Sequence, residues 1–378
     1  MEWKTVKLGD VCKIFGRIGF RGYTNNDFVT KPEDGAITLS PTNIVDGELD
    51  LTKCAYINWD KYYESPEIMV QENDILLSKT GTIGRTALVK RVEHPMTINP
   101  QFVLLKECTI NPRYLSYLLK TPKFQGDLYS ITVGSVIATL SQKNLGNIKI
   151  DIVDSATQDK IVAILSSLDD KIENNNRINR NLEAQAQALF KSWFVDFEPW
   201  GGIMPEDWKE GTLGEIAEFK RGKGILGKDA RPGNVPVVAG GMEPAYYHDT
   251  ANTKAPVITI SASGANAGYV RLYNEDIWAS DCSWIDASSK NLLWVYCYLS
   301  INRHILRHAQ TGAVQPHVKA KDVNAFEIIV PAQKVIEDFI EVVKPLFDQI
   351  ANNQKESHRL ATIRDTLLPK LMRGEISL

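Results

Sequence analysis

Apolar residues recur in steps of four and three from Thr157 to Trp193, which is the spacing of one face of a long helix. The pattern is kept over several heptads, which is typical of a coiled coil rather than of an ordinary amphipathic helix. Two asparagines interrupt the apolar face near its centre, and polar residues at such positions fix register and partner at a cost in stability. The predicted seam contains Leu165, Leu168, Ile172, Asn175, Asn179 and Leu182.

A second helix near the C-terminus repeats this design. Its polar stretch is again central, so antiparallel pairing would bring the two polar stretches together. Pro345 falls inside the pattern and is expected to kink or break the helix, because proline lacks the N–H of the helical hydrogen bond. A core helix explains an apolar stripe but not two polar centres, so we predict that the helices pair. The second seam contains Val335, Phe339, Val342, Leu346, Gln349, Asn353, Glu356, Leu360, Ile363 and Leu367.

Segments of the first half of the chain recur in the second half, which indicates an internal repeat. Each copy is rich in β-forming residues and ends in one of the two long helices. The sequence therefore predicts an α+β protein in which one module occurs twice, with antiparallel helices and pseudo-twofold symmetry. The matching segments are 3–11 with 208–216, 16–22 with 221–227, 75–81 with 258–264, 132–136 with 310–314, and 172–189 with 350–367.

The loop from Phe219 to Gly233 places Gly222, Gly224 and Gly227 in the spacing of a dinucleotide-binding loop. Residues 212–219 before it have β character, but the Pro- and Gly-rich segment after it does not start a helix. A phosphate loop needs the N–H groups of a helix N-terminus behind it. The counterpart loop, 16–22, shares only glycine with Arg or Lys, which suits backbone lying close to a polyanion. A solvated glycine-rich loop is the alternative.

The composition limits the cellular compartment and the kinds of ligand that we expect for this protein. The net charge of −3 gives no global signature of nucleic-acid binding, so any such function must rest on local charge. The five cysteines are scattered without C-x-x-C spacing, which argues against disulfides and structural zinc and for a reducing compartment. No apolar run is long enough to span a membrane and no signal peptide is evident. We expect a cytoplasmic protein that needs no metal or cofactor and contacts no membrane.

Motifs for catalysis are missing from the sequence. We find no methyltransferase tetrapeptide of the N-P-P-Y or D-P-P-Y type and no complete nucleotide loop. His304 and His308 have the spacing of H-E-x-x-H, but Ile305 stands where the glutamate is required. The chain is therefore predicted not to be an enzyme.

Two strings at the helix ends, "LEAQAQALFKSWFVDFEP" (182–199) and "LLPKLMRGEI" (367–376), resemble the specificity subunits of type I restriction-modification systems. The openings "WKTVKLGDV" and "WKEGTLGEI" are similar to the starts of that family's modules. The resemblance implies two domains that each read half of a bipartite, asymmetric site in double-stranded DNA. It also implies helices that set the spacing and dock two methyltransferase subunits, with restriction/translocase subunits joining the complex. The implied boundaries are 1–154 and 199–331 for the target-recognition domains, and 155–198 and 332–378 for the spacer helices.

Candidate DNA contacts lie in the matching loops of the two modules, because phosphates bind cations and hydroxyls while base edges bind polar side chains. Each loop could instead be an ordinary turn with solvated charge. The first module offers Arg17, Arg21, Lys79, Thr80, Thr82, Arg85, Ser135, Gln142 and Lys143. The second offers Arg221, Lys223, Lys228, Ser263, Asn266, Gln315, His317, Lys319 and Lys321.

Aromatic residues at the end of the first helix are candidates for docking the methyltransferase subunits, namely Phe190, Trp193, Phe194 and Phe197. The same cluster could instead cap the intramolecular core. Two alternatives to DNA recognition remain at this point: an interaction scaffold that binds protein only, and a stand-alone nuclease or methyltransferase, which the missing catalytic motifs oppose.

Overall fold

The computed structural model describes residues 3–45, 47–132, 140–308 and 317–378. The chain divides into two compact units, the first formed by residues 1–172 with 359–378 and the second by residues 173–358. In the first unit the strands are β1 Lys4–Lys7, β2 Lys13–Phe15, β3 Phe28–Val29, β4 Gly35–Leu39, β5 Ile44–Val45, β6 Glu48–Leu49, β7 Ala55–Asn58, β8 Ile75–Ser78, β9 Thr86–Leu88, β10 Met96–Ile98, β11 Phe102–Lys106 and β12 Lys149–Ile152. Its short helices are α1 Leu8–Val11, α2 Trp59–Tyr63, α3 Pro112–Leu119, α4 Pro122–Ser130 and α5 Gln142–Gly146.

The long helix α6, Ser155–Phe194, begins in the first unit and ends in the second. In the second unit the strands are β13 Lys209–Thr212, β14 Lys220–Arg221, β15 Val235–Val238, β16 Tyr246–His248, β17 Val257–Ser261, β18 Val270–Tyr273, β19 Trp278–Ala279, β20 Cys282–Ile285 and β21 Glu327–Val330. The short helices there are α7 Leu213–Ile216, α8 Leu292–Ile301, α9 Arg303–His308 and α10 Ala320–Asn324. The long helix α11, Gln333–Leu371, begins in the second unit and ends in the first.

The first unit is built around the sheet β2-β11-β8-β9. Side chains alternate between the two faces of a strand, and here both faces are apolar. Ile75 and Leu77 of β8 join the core under helices α3 and α4, whereas Leu76 joins the core shared with the second sheet, β10-β4-β7-β3. The central sheet is therefore the middle of three layers, which explains why its strands read as continuous apolar runs.

The second unit repeats this arrangement with fewer strands. Its central sheet is β14-β20-β17-β18 and its outer sheet is β16-β15-β19. Ile258 and Ile260 of β17 pack with Trp294 of α8 on the helical side, while Val257 packs against the outer sheet. The predicted repeat is thus present as one topology used twice, including a parallel pair in each outer sheet, β10 with β4 and β19 with β15.

Equivalent main-chain hydrogen bonds recur in the two modules. Strands β1 and β12 pair antiparallel as β13 and β21 do, and helices α1 and α7 each follow the first strand of their pair. Leu8 N–H donates to the Ile148 carbonyl at 2.9 Å, and Leu213 N–H donates to the Phe326 carbonyl at the same distance. The β character expected for 212–219 is therefore wrong for Leu213–Ile216, where this helical turn forms.

The polar centres of the two long helices meet within the second unit. Asn175 Nδ2 donates to Glu356 Oε2 at 2.8 Å, and Asn353 Nδ2 donates to Asn179 Oδ1 at 2.8 Å. Gln349 Nε2 donates to Asn353 Oδ1 at 2.7 Å. Residue numbers rise along one helix as they fall along the other, so these contacts run antiparallel. The expected match of polar stretch to polar stretch is confirmed.

The ends of the same helices pair within the first unit through different chemistry. Leu165 of α6 is fully buried in one core with Leu368 and Leu371 of α11. At the rim of that core, Arg364 Nη1 donates to Asp169 Oδ1 at 2.8 Å. Leu168, Ile172 and Leu182 of the predicted seam are half-buried, as are Leu346, Leu360 and Leu367.

Two expectations for α11 are wrong, namely a break at Pro345 and a strict heptad seam. The helix runs without a break through Pro345, whose side chain is exposed, because flanking residues such as Val343 and Phe347 are held in the core. In the N-terminal half of α11 the buried face contains Ile336, Val343, Phe347 and Ile350, whereas Val342 is 47 % exposed. In the C-terminal half, Ile363 of the predicted seam is 37 % exposed. A strict heptad seam misplaces these positions because the helix also packs on its own module, which requires a broader apolar face.

Candidate nucleic-acid interface

The glycine-rich loop of the second module is held against the edge of β20. Gly222 N–H donates to the Cys282 carbonyl at 2.8 Å, and Lys223 N–H donates to the Ala279 carbonyl at 2.9 Å. A Cβ atom on Gly222 would lie 2.1 Å from the Ser280 carbonyl oxygen, so only glycine fits. The next element is a single 3-10 turn, Gly227–Asp229, and not a helix, which agrees with the rejection of a nucleotide loop.

A cleft of about 670 Å³ opens beside this loop, within the second unit. Three of the recurring loop segments reach its wall, and two of them bring predicted residues to it. The first brings Arg221, the second contributes Ala262, and the third brings His317, Lys319 and Lys321. The Val318 N–H donates to the Ala262 carbonyl at 3.0 Å, and Ser263 forms a β-bridge with His317, which fixes the second segment against the third. The residues around the cleft are Arg221, Gly222, Gly224, Ala262, Ser280, Asp281, Cys282, Ser283, His317, Val318, Lys319, Ala320 and Lys321.

Cations dominate the charged residues of this cleft. Arg221, Lys319 and Lys321 are exposed, and no ion pair within the described ranges engages any of them. Unpaired guanidinium and ammonium groups around a concave wall attract a polyanion. The chain therefore gathers positive charge locally, although its net charge is negative.

Four described candidates of the second module are not among the residues around the cleft: Lys223, Lys228, Ser263 and Asn266. Lys223 is exposed, with Nζ 5.9 Å from the centre of the Trp278 ring, and Lys228 is exposed on the 227–229 turn. Asn266 is half-buried at the end of a 3-10 turn. Gln315 falls outside the described residues.

The corresponding loops of the first module meet through equivalent bonds. Leu140 N–H donates to the Lys79 carbonyl at 3.0 Å, which matches the bond from Val318 to Ala262. Burial lowers the pKa of Lys79, whose side chain is half-buried. The turn that follows is closed by Arg85 N–H, which donates to Ser78 Oγ at 2.9 Å. Thr82 and Arg85 are exposed on this turn and Thr80 is half-buried.

The segment after the undescribed residues 133–139 reaches the glycine loop of the first module. In the amide orientation that satisfies both neighbours, Gln142 donates to the Ile14 carbonyl at 3.3 Å and accepts from Gly16 N–H at 3.2 Å. Gln142 therefore fastens two loops together, and Lys143 beside it is exposed. Ser135 falls outside the described residues.

Arg17 is not the exposed phosphate ligand that the sequence led us to expect. Its side chain is 5 % exposed, and its Nε donates to the Ile98 carbonyl at 3.1 Å. Burial lowers its pKa, and the guanidinium also stacks 5.0 Å from the centre of the Tyr23 ring. Arg17 therefore ties the loop to the outer sheet. Arg21 is partly exposed and pairs with Glu67 at 3.5 Å.

Two polar residues beside these loops were missed by the sequence reasoning. Gln101 and Asp281 immediately precede β11 and β20, and both are exposed. Their carbonyls accept from Lys79 N–H at 2.7 Å and from Ala262 N–H at 3.3 Å, respectively. Neither lies in a recurring segment, so only the strand pairing reveals that they are equivalent.

The aromatic cluster at the end of α6 caps the core of the second unit, which is the alternative considered from the sequence. Phe190 is 1 % exposed and lies 5.2 Å from Trp294 between ring centres, so it is closed to a partner. Phe194 stacks on Trp208 at 5.6 Å, and Phe197 meets the same ring edge-on at 5.7 Å. Trp193, Phe194 and Phe197 keep partial exposure.

Metal ligands and membrane spans were sought across the described part of the chain. No group of three His, Cys, Asp or Glu side chains there could hold a metal ion. None of its helices combines the length and apolar character needed to cross a bilayer.

The fold and its paired loops define a protein built from two related modules that share two long helices. The family model described as type I restriction modification DNA specificity domain matches residues 1–184 and 205–360. The chain belongs to this family, whose specificity subunits are the DNA-recognising components of type I restriction-modification systems.

Relatives and a solved structure agree along the whole chain. The type I restriction enzyme MjaIX specificity subunit of Methanocaldococcus jannaschii is 29 % identical over 419 residues, covering 99 % of this chain and 94 % of that protein. The HindI specificity subunit of Haemophilus influenzae is 22 % identical and covers 99 % of this chain and 100 % of its own length. The crystal structure of a type I S subunit from M. genitalium shares the fold, with a TM-score of 0.58 at 19 % identity over 98 % of this chain and 96 % of that chain.

Proposed function

We propose that each module reads one half of a bipartite, asymmetric DNA site and that the long helices set the distance between the halves. The target-recognition domains would be 1–154 and 199–331, with spacer helices in 155–198 and 332–378. The helices would pair as one antiparallel coiled coil and relate the modules by a pseudo-twofold axis. Proteins with twofold symmetry read DNA half-sites at a spacing that matches the separation of their two recognition elements.

The observation that carries this proposal is the basic cleft of the second module. Two segments that are distant in sequence bring Arg221 and the group His317, Lys319 and Lys321 to one wall. The first module repeats the main-chain bonds of these loops but not their side chains. One scaffold with different side chains at matching loops is what two different half-sites require.

In this proposal the chain acts without catalysis, cofactor or metal, and recruits enzymes as partners. Two methyltransferase subunits would dock on the helices and their flanks, where Trp193 and Phe197 keep exposed surface. Restriction/translocase subunits would join that complex. Assembly in the cytoplasm, where the chromosome is accessible, is part of the proposal.

The decisive experiment is single-molecule detection of methylated adenine in host DNA, with the gene intact and deleted. Loss of methylation at one bipartite motif upon deletion would establish the function and give both half-sites and their spacing. An unchanged methylome would show that this subunit does not direct DNA methylation and would favour the protein-interaction scaffold.

The salt dependence of binding tests the cleft itself. Replacing Arg221, Lys319 and Lys321 by alanine should weaken DNA binding. The negative slope of log K against log[salt] should become less steep by about 0.9 for each lost phosphate contact. Fluorescence anisotropy between 50 and about 200 mM salt gives the slope. Alanine at the ion-paired Lys254, Lys290 and Lys344 removes the same number of positive charges elsewhere and is the matched control. A slope unchanged in the triple variant would remove the cleft from the interface.

A further inference from the structure

Gln101 and Asp281 occupy the same place in the two modules. In the first, Phe102 pairs with Ser78 across β11 and β8; in the second, Cys282 pairs with Ser261 across β20 and β17. Ser78 and Ser261 are themselves equivalent in the sequence repeat. The residue that precedes each inner strand is therefore Gln101 in one module and Asp281 in the other.

The setting of Asp281 is unusual for a DNA-facing residue. It is the one carboxylate among the described residues that line the cleft with Arg221, Lys319 and Lys321. Its Oδ2 accepts from the Ser263 hydroxyl, and no ion pair within the described ranges neutralises it. A carboxylate here repels phosphate, so its presence lowers non-specific affinity. A donor group on the bound DNA would offset this repulsion.

Gln101 presents a different functional group at the equivalent point. The side chain of Asn99 holds it in two places, since Asn99 Nδ2 donates to Gln101 Oε1 at 2.9 Å and Asn99 Oδ1 accepts from Gln101 N–H at 2.9 Å. The Gln101 Nε2 group lies beside Gly81, which leaves room around it, since a Cβ there would be 3.9 Å away. The Gln101 amide is therefore held in one orientation and, among the described residues, its Nε2 donor is free.

We propose that Gln101 and Asp281 are equivalent base-reading residues, with Gln101 selecting adenine in one half-site and Asp281 selecting cytosine in the other. This inference rests on the proposed function. In the major groove, a glutamine amide matches adenine N6 and N7, and a carboxylate accepts from cytosine N4. Adenine N7, guanine O6 and thymine O4 are acceptors that repel a carboxylate, so cytosine satisfies Asp281 best. Ser263 acts as a positioning residue for that carboxylate.

The test is a binding selection with the assembled complex of this subunit and its methyltransferase subunits, on duplexes in which both half-sites are randomised. Asp281→Asn should convert a cytosine preference to adenine at one position, because asparagine suits adenine N6 and N7. Gln101→Glu should convert adenine to cytosine at one position of the other half. The preference ratio at each position should change by about 5- to 150-fold, the range of one good base contact.

Internal and matched controls keep the result interpretable. In each variant the unaltered half-site should be selected as in the wild type, which establishes that the protein is folded and assembled. Glu275→Gln and Gln71→Glu make the same charge changes at exposed positions away from these loops and should leave both half-sites unchanged. Asp281→Ala should lose the cytosine preference without gaining one for adenine.

The outcomes separate the inference from the proposed function. A wild-type complex that enriches no bipartite sequence would overturn the proposed function itself. A bipartite wild-type motif that Asp281→Asn and Gln101→Glu leave unchanged would overturn the inference alone. Changes in the same half-site for both variants, or a guanine or thymine requirement that depends on Asp281, would also overturn it.

Discussion

On the inner strand of the first module, Lys106 is 7 % exposed and its Nζ lies 2.8 Å from Oδ2 of Asp74, which is 4 % exposed. In the second module, Asp286 directly after β20 stands at the position of Lys106, and the fully buried Val257 of β17 stands at that of Asp74. One module thus buries an ion pair where the other buries an apolar side chain and satisfies its aspartate with neighbouring hydrogen bonds. The strand pairing is nevertheless the same.

The glycine loops show the same contrast at the surface. Arg17 fills its loop with a buried guanidinium, whereas Gly222 lies at the equivalent position and allows the chain to approach Ser280 closely. The two loops cannot exchange residues, although the pairing of β2 with β11 and of β14 with β20 is common to both. Main-chain hydrogen bonds do not depend on side-chain identity, so a duplicated module can keep its topology while its interior and its loops diverge independently.

The largest expected effect comes from breaking the ion pair that only the first module has. Lys106→Met should destabilise the first unit by about 3–5 kcal/mol, because the buried Asp74 carboxylate loses its cationic partner and keeps only the hydrogen bond from Gln71 N–H. Burial already raises the pKa of Asp74 and the hydrogen bond from Lys106 opposes that rise. Urea unfolding monitored for each unit by hydrogen exchange measures the loss.

A double variant is the control for this experiment. Replacing both partners, Lys106→Met with Asp74→Leu, should recover most of the stability, because a buried pair can often be replaced by apolar residues without loss. Equal stability in the single and double variants would show that the unpaired carboxylate is not the cause. The second unit should retain its protection in both.

A smaller effect is expected where the second module needs glycine. Gly222→Ala should cost about 1–3 kcal/mol, because its Cβ would collide with a main-chain oxygen and force the loop away from β20. Gly224→Ala is the matched control, since nothing lies within 4 Å of a Cβ there. Thermal unfolding of both variants decides the point, and equal midpoints would contradict the close approach.

The smallest effect concerns pH and Asp286. Burial favours the neutral carboxyl, but hydrogen bonds from the Ser288 hydroxyl and from the Lys254 and Ser288 N–H groups together lower its pKa. With a folded-state pKa below the unfolded value near 3.9, the unfolded chain takes up the proton first. The stabilisation is therefore present above about pH 4 and is lost as the pH falls through the folded-state pKa. The stability difference between wild type and Asp286→Asn should shrink over that window; a constant difference would rule out this titration.

Much of the architecture could be predicted from particular residues. The repeated segments predicted two modules, and Asn175, Asn179 and Asn353 predicted the buried polar contact between the helices. The matching loops led to Arg221, His317, Lys319 and Lys321, which the fold brings to one cleft. Periodicity and repetition are properties of the sequence alone, so they can be recognised without knowing which elements are in contact.

Other features depended on contacts that no local pattern records. Whether Arg17 faces solvent or the outer sheet, and whether Phe190 faces a partner or Trp294, is decided by what packs against each side chain. The shift of the buried face of α11 from Val342 to Val343 has the same origin, because the helix packs on its own module as well as on α6. Gln101 and Asp281 became equivalent only through strand register, which fixes the position of a side chain by its partner strand. The sequence by itself therefore determined the duplication, the long helices and the family, whereas the tertiary structure decided which polar groups are buried and which remain exposed, because burial depends on what packs against each side chain.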